Sequence, residues 1–209
     1  MHYDLTLYYI HDPMCSWCYG FKPVLELLTN QLKDIIEIKY YLGGLAEDTD
    51  TVMSNSMQVN IQSNWKRIEK TIPSIRFNYN FWELCIPKRS SYASCRAVIA
   101  AKKQHKKFEY TMINAIQNAY YLNARNPSDY DVLYELAKET GLNQQQFKFD
   151  IHSDEVNSNL MQQILFCRKI GADSFPSLFI LSNNNYDPII LDYNNADLIL
   201  DHIKSYLPV

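Results

Sequence analysis

The chain has 209 residues, with 20 Lys and Arg against 23 Asp and Glu, a net charge of −3, 47% apolar and 21% charged residues. This composition belongs to soluble globular proteins and excludes a disordered tail. The length suits one compact domain, or one domain with a large insertion, that buries roughly 70% of its unfolded surface without a disulfide or metal staple.

The mild acidity leaves no electrostatic footprint for nucleic acid. No apolar run reaches the roughly 18 residues of a membrane-spanning helix, so no membrane partner is expected. Met1-His2-Tyr3-Asp4 lacks a basic leader, and Leu5 to Ile10 is too short for a signal core, so a cytoplasmic setting is expected. Leu5–Ile10 is β-branched and aromatic and ends at His11-Asp12-Pro13, which predicts a buried strand. From Cys15 to Lys33 the apolar residues fall at helical spacing, with Pro23 inside the pattern, where a proline deletes a backbone hydrogen bond. Ile35–Leu42 predicts a second strand stopped by Gly43-Gly44. The opening is therefore β-α-β, the unit of a parallel pair with a helical crossover.

Residues 51–170 read as helical: Thr51–Ile72, Ser90–His105, Phe108–Leu122, Ser128–Thr140, Asn143–His152 and Asp154–Ile170, with Asn78–Lys88 irregular. The end returns to strands at Ser177–Leu181 and Pro188–Asp192 around an Asn183–Asn185 turn, then a helix over Asp197–Tyr206. The expected fold class is α/β, β-α-β…β-β-α with a large all-helical insertion. Residues 1–48 and 172–209 form one domain, and 49–171 is inserted into it.

The chemical centre is Cys15-Ser16-Trp17-Cys18, placed after a strand and at the start of a helix. Free N–H groups and the positive end of the helix dipole lie there and stabilise a thiolate. Cys15, nearest the helix end, is the expected nucleophile. Cys18, one turn further in, is the resolving thiol, and the spacing permits a disulfide. Pro176, in Ser174-Phe175-Pro176-Ser177 just before a strand, sits where a cis X–Pro bond would be tolerated in a tight turn, and a cis bond there would leave the Phe175 backbone free for an extended substrate.

These marks in this order resemble the thioredoxin superfamily, and the helical insertion resembles its DsbA-like branch. Asp12-Pro13-Met14-Cys15-Ser16-Trp17-Cys18-Tyr19-Gly20-Phe21 is most similar to the FrnE-like protein-disulfide isomerases. The resemblance implies a thiol–disulfide oxidoreductase with Cys15 attacking, Cys18 resolving and Pro176 as cis proline. It departs from DsbA in having Ser16-Trp17 between the cysteines instead of Pro-His, which implies a weaker oxidant. It departs from thioredoxins in having Tyr9 where they carry a buried acid. Asp12 is weighed against that gap as a proton-transfer residue, beside its commoner role before proline as a turn former.

Trp17, Phe175 and Pro176 are candidate substrate-binding residues, with Met14 at an apolar rim. Expected partners are thiol or disulfide proteins, or glutathione as a redox co-substrate, together with a redox partner. No other cofactor is expected. A zinc site needs a second ligand pair that the sequence lacks, so no metal is expected. Cys85 and Cys95 read as free thiols ahead of an accessory disulfide, and Cys167 as a buried structural thiol. Lys102-Lys103-Gln104-His105-Lys106-Lys107 reads as a solvated helix end. Two rivals remain: a glutathione-dependent transferase or isomerase of the kappa-class type, which uses a single Ser or Cys, and a non-catalytic redox-sensing or partner-binding module.

Overall fold

The computed structural model describes residues 5–207. Four strands form one sheet in the order β2-β1-β3-β4. β1 (Thr6–His11) runs parallel to β2 (Glu37–Leu42) and antiparallel to β3 (Ser177–Ser182), which pairs antiparallel with β4 (Asn185–Ile189). β1 is central and covered on both faces, which is why its sequence is a continuous apolar run rather than an alternating one. Leu7 and Tyr9 pack with α1 (Ser16–Leu32) and the closing helix, through Phe21, Leu28, Ile199 and Ile203. Tyr8 and Ile10 face the other layer, with Cys167, Ala172 and Phe179.

Between β2 and β3 the chain forms α2 (Asn55–Thr71), α3 (Phe81–Leu84), α4 (Tyr92–Gln104), α5 (Lys107–Tyr121), α6 (Tyr130–Glu139), α7 (Gln144–Asp150) and α8 (Asp154–Lys169). Side-chain caps set three of the helix starts, among them the Asn143 start read from the sequence. Ser54, Asn143 and Ser153 each accept a backbone N–H from the first turn of α2, α7 and α8. Ser54 also sets the start of α2 later than residue 51; Val52 instead bridges to Lys88. Asp129 caps α6 by position only, its carboxylate accepting from Asn126 at 3.1 Å. The basic run is a helix end: Lys102 pairs with Glu109, and Lys103 with Asp150 and Glu155.

Two further elements differ from the sequence expectation. The stretch around residues 78–88 contains the one-turn helix α3, with Phe81 and Trp82 packed against the buried Trp65. β4 begins three residues earlier than Pro188 because the hairpin loop is two residues, Asn183 and Asn184, both at positive φ (50° and 64°). Asn tolerates that conformation, and a two-residue loop of this kind suits the strand twist. Pro188 then sits within β4, which is an edge strand and can spare an N–H. The helix α9 (Ala196–Lys204) closes the fold.

Candidate functional site

β1 ends at His11, and the turn Asp12-Pro13-Met14 delivers Cys15 to the N-cap of α1, with the Cys15 N–H donating to the Asp12 carbonyl at 3.0 Å. No side chain caps this helix, so its free N–H groups face the Cys15 region. Cys15 and Cys18 are both free thiols, at 7% and 1% exposure. Cys15 is the more accessible of the two, yet far more shielded than the sequence suggests. Burial pushes the Cys18 thiol well above its ordinary value, helped by its hydrogen bond to Cys15 and opposed by the Asp12 backbone. Cys18 therefore holds its proton at neutral pH.

Facing the pair is the loop before β3. The Phe175–Pro176 peptide is cis, and Pro176 is buried. The Cys15 Sγ–H donates to the Phe175 carbonyl at 3.4 Å. That carbonyl, expected to be free for a substrate, is engaged by the thiol. The Phe175 ring lies on Gly43, where a Cβ would fall 1.9 Å from a ring carbon. Glycine is therefore required there by close approach.

Asp12 is completely buried. Its carboxylate accepts from the Met14 N–H (2.8 Å), the Leu45 N–H (2.7 Å), the Ser91 hydroxyl (2.7 Å) and the Cys95 thiol (3.4 Å). Burial raises its pKa, and these bonds pull the other way. Neither the Cys15 nor the Cys18 sulfur is among its hydrogen-bond partners. The sequence weighed Asp12 for proton transfer, but the geometry makes it a tie between the cysteine turn, the loop after β2 and the start of α4. Burial, then the charges of Cys18 and Cys15, push the Tyr9 phenol well above its ordinary value.

Trp17 is half-buried between the Tyr193 ring, 5.0 Å away, and the Arg67 guanidinium, 5.0 Å above its face. It borders a cleft of about 220 Å³ over Cys15. Met14 and Phe175 line that cleft, together with residues the sequence did not single out: Trp65, Lys88, Arg89 and Tyr120. Trp65 and Tyr120 come from α2 and α5, Lys88 and Arg89 from the loop before α4, and none carries a local motif. The remaining cysteines are free: Cys85 donates to the Ala124 carbonyl at 3.1 Å, and burial pushes Cys167 up to about 12. Among the described residues, no group of three or more His, Cys, Asp or Glu is placed to hold a metal ion. Also among them, no helix is long and apolar enough to cross a membrane.

A cysteine pair at the start of the crossover helix, with a cis proline opposite and helices inserted before its strand, defines a thioredoxin-like fold of the DsbA-like type. The family model described as thioredoxin matches residues 8–199, and the chain belongs to that family. Among curated proteins it is similar to the ClpXP adapter protein SpxH of Halalkalibacterium halodurans, 25% identical over 187 residues. That match covers 88% of this chain and 60% of the relative, so the chain spans well under two thirds of the relative's length. Among solved structures, a candidate protein disulfide isomerase from Nitrosomonas europaea superposes with a TM-score of 0.86 at 24% identity, covering 98% of each chain. The cytosolic disulfide reductase DsbM from Pseudomonas aeruginosa with GSH superposes with a TM-score of 0.74 at 22% identity, covering 96% of this chain and 98% of that one.

Proposed function

We propose that the chain is a thiol–disulfide oxidoreductase. One observation carries this reading: Cys15 caps α1 against the Phe175 carbonyl of the cis peptide, while Cys18 behind it is buried and protonated. In the reductive direction the Cys15 thiolate attacks a disulfide RS–SR. The S–S bond breaks, one RS⁻ leaves and takes a proton, and a Cys15–S–SR mixed disulfide forms. Cys18 then loses its proton and attacks the Cys15 sulfur, the second RS⁻ leaves, and a Cys15–Cys18 disulfide remains. Two electrons have passed to the substrate, and an external thiol returns them. Trp17, Phe175 and Pro176 form the substrate-facing rim, and Asp12 holds the turn.

The likeness to DsbM with GSH supports glutathione, or a protein thiol, as partner. The likeness to the cytosolic disulfide reductase DsbM supports a cytoplasmic setting. The helices of residues 49–171 act as an inserted unit that roofs the pair. The SpxH relative favours a second reading, in which the chain binds a protein partner without turning over thiols.

Cys18→Ser separates these. The variant accumulates a mixed disulfide at Cys15 with a disulfide client on a non-reducing gel, and brief alkylation of the reduced wild type labels Cys15 ahead of Cys18. Retained turnover in Cys18→Ser would indicate a single-nucleophile transferase. No adduct with any client, and equal labelling, would leave the adapter reading.

A further inference from the structure

We infer that the cleft over Cys15 selects small disulfides and thiols that carry negative charge, with Arg89 as the main determinant; this rests on the oxidoreductase reading above. The first ground is access. Cys15 is 7% exposed at the floor of a cleft of about 220 Å³, walled by Trp65 of α2, Tyr120 of α5 and the segment around Arg89. That volume lies below the usual range of drug-sized ligand sites. A folded surface cannot reach the sulfur there, whereas a short disulfide arm can.

The second ground is charge. No Asp or Glu lines the cleft, while Lys88 and Arg89 both do. Lys88 is already paired, with Asp50 at 3.3 Å and Asp129 at 3.6 Å. Arg89 is exposed and has no carboxylate partner among the described residues, and neither has Arg67, whose guanidinium sits over the cleft-lining Trp17. The N-terminal end of α1 adds its positive dipole at the same place. A net charge of −3 makes this local excess of cations a feature of the site, not of the protein. An anionic arm gains attraction from Arg89, Arg67 and the helix end, and the two exposed arginines cost little to desolvate because they are at the rim.

The reaction is the one written above. Reduced protein and RS–SR give the Cys15–Cys18 disulfide and two RSH, with two electrons and two protons moving to the substrate.

The test is a charge series of three disulfides of similar size: 3,3′-dithiodipropionate, bis(2-hydroxyethyl) disulfide and cystamine. Each is mixed with reduced full-length protein, and oxidation is followed by tryptophan fluorescence. Each rate is normalised to the same disulfide's rate with dithiothreitol. The expected order is anion over neutral over cation, with about a tenfold span that shrinks at high salt. Arg89→Glu reverses the order, and Arg89→Lys restores it. Equal normalised rates across the series would overturn the charge selection and leave the oxidoreductase reading standing. So would reaction with an unfolded disulfide protein but with none of the three. Reaction with no disulfide at all, despite alkylation at Cys15, would overturn the oxidoreductase reading itself.

Discussion

His11 closes β1 beside the cysteine turn, and it should make the fold acid-sensitive by a calculable amount. Its ring is 1% exposed, stacked on Tyr9 at 5.0 Å and 4°, and set edge-on to Tyr40 at 5.9 Å. Neither ring nitrogen has a protein hydrogen-bond partner. Burial, with Lys102 as a smaller second cause, pushes its pKa from 6.5 down to about 3. Between those values the unfolded chain binds a proton that the folded chain refuses, so stability is full above pH 6.5 and falls as pH drops through this window. The slope approaches about 1.4 kcal/mol per pH unit, and lowering the pH from 7 to 5 removes about 2 kcal/mol. For a chain of this length that is about 4–8 °C in Tm. His11→Phe keeps a ring on Tyr9 and cannot take up the proton. Urea unfolding at both pH values should therefore show wild type losing about 2 kcal/mol more than the variant. His11→Gln serves as the second, smaller replacement. Equal pH dependence in wild type and both variants would refute the reasoning.

Gly43→Ala drives a methyl to 1.9 Å from the Phe175 ring, so the ring and its loop must move by more than an ångström. The expected cost is about 1–3 kcal/mol, with slower thiol exchange, and Phe175→Ala in the same chain should recover most of the stability; strictly additive losses in thermal unfolding would count against the contact. Asp12→Asn keeps one oxygen for the Leu45 N–H and the Ser91 hydroxyl, which share Oδ2, but turns its NH2 toward the Met14 N–H and leaves that donor unpaired, at about 1–3 kcal/mol. Because the Asp12 pKa is raised above 3.8, the ionised carboxylate costs stability as pH rises through its folded value; Asp12→Asn removes that component, which paired denaturant titrations at low and neutral pH detect.

The sheet was legible because β1 is buried on both faces and so reads as an unbroken apolar run, and because Gly43-Gly44 ends β2. The long helices were legible from period and, for α7, from Asn143 as a cap, whereas the caps Ser54 and Ser153 emerge only in the structure. Where local signals were ambiguous the reading slipped. Three consecutive asparagines hide which two form the loop, and that moved β4 by three residues. α3 is too short to show a period, and its place is set by contacts with Trp65. At the site, the cysteines and Pro176 announce themselves by spacing and by context next to a strand or a helix. Lys88, Arg89, Trp65 and Tyr120 do not. Each is an ordinary residue of a helix or loop until the insertion folds over Cys15.

The accessibility of Cys15 is consequently a tertiary property. The turn that carries it is tied through Asp12 to Leu45, Ser91 and Cys95, which lie 33, 79 and 83 residues along the chain. Its sulfur rests on Phe175, 160 residues away. Two of the Asp12 partners belong to the start of α4, so a shift of that helix reaches the cysteine turn through a single carboxylate. The same α4 start adjoins Lys88 and Arg89 at the cleft rim. One short segment thus fixes both how the nucleophile is held and which charge meets a substrate above it. The Cys-x-x-Cys spacing places two thiols at the start of α1, and the inserted helices determine what can reach them.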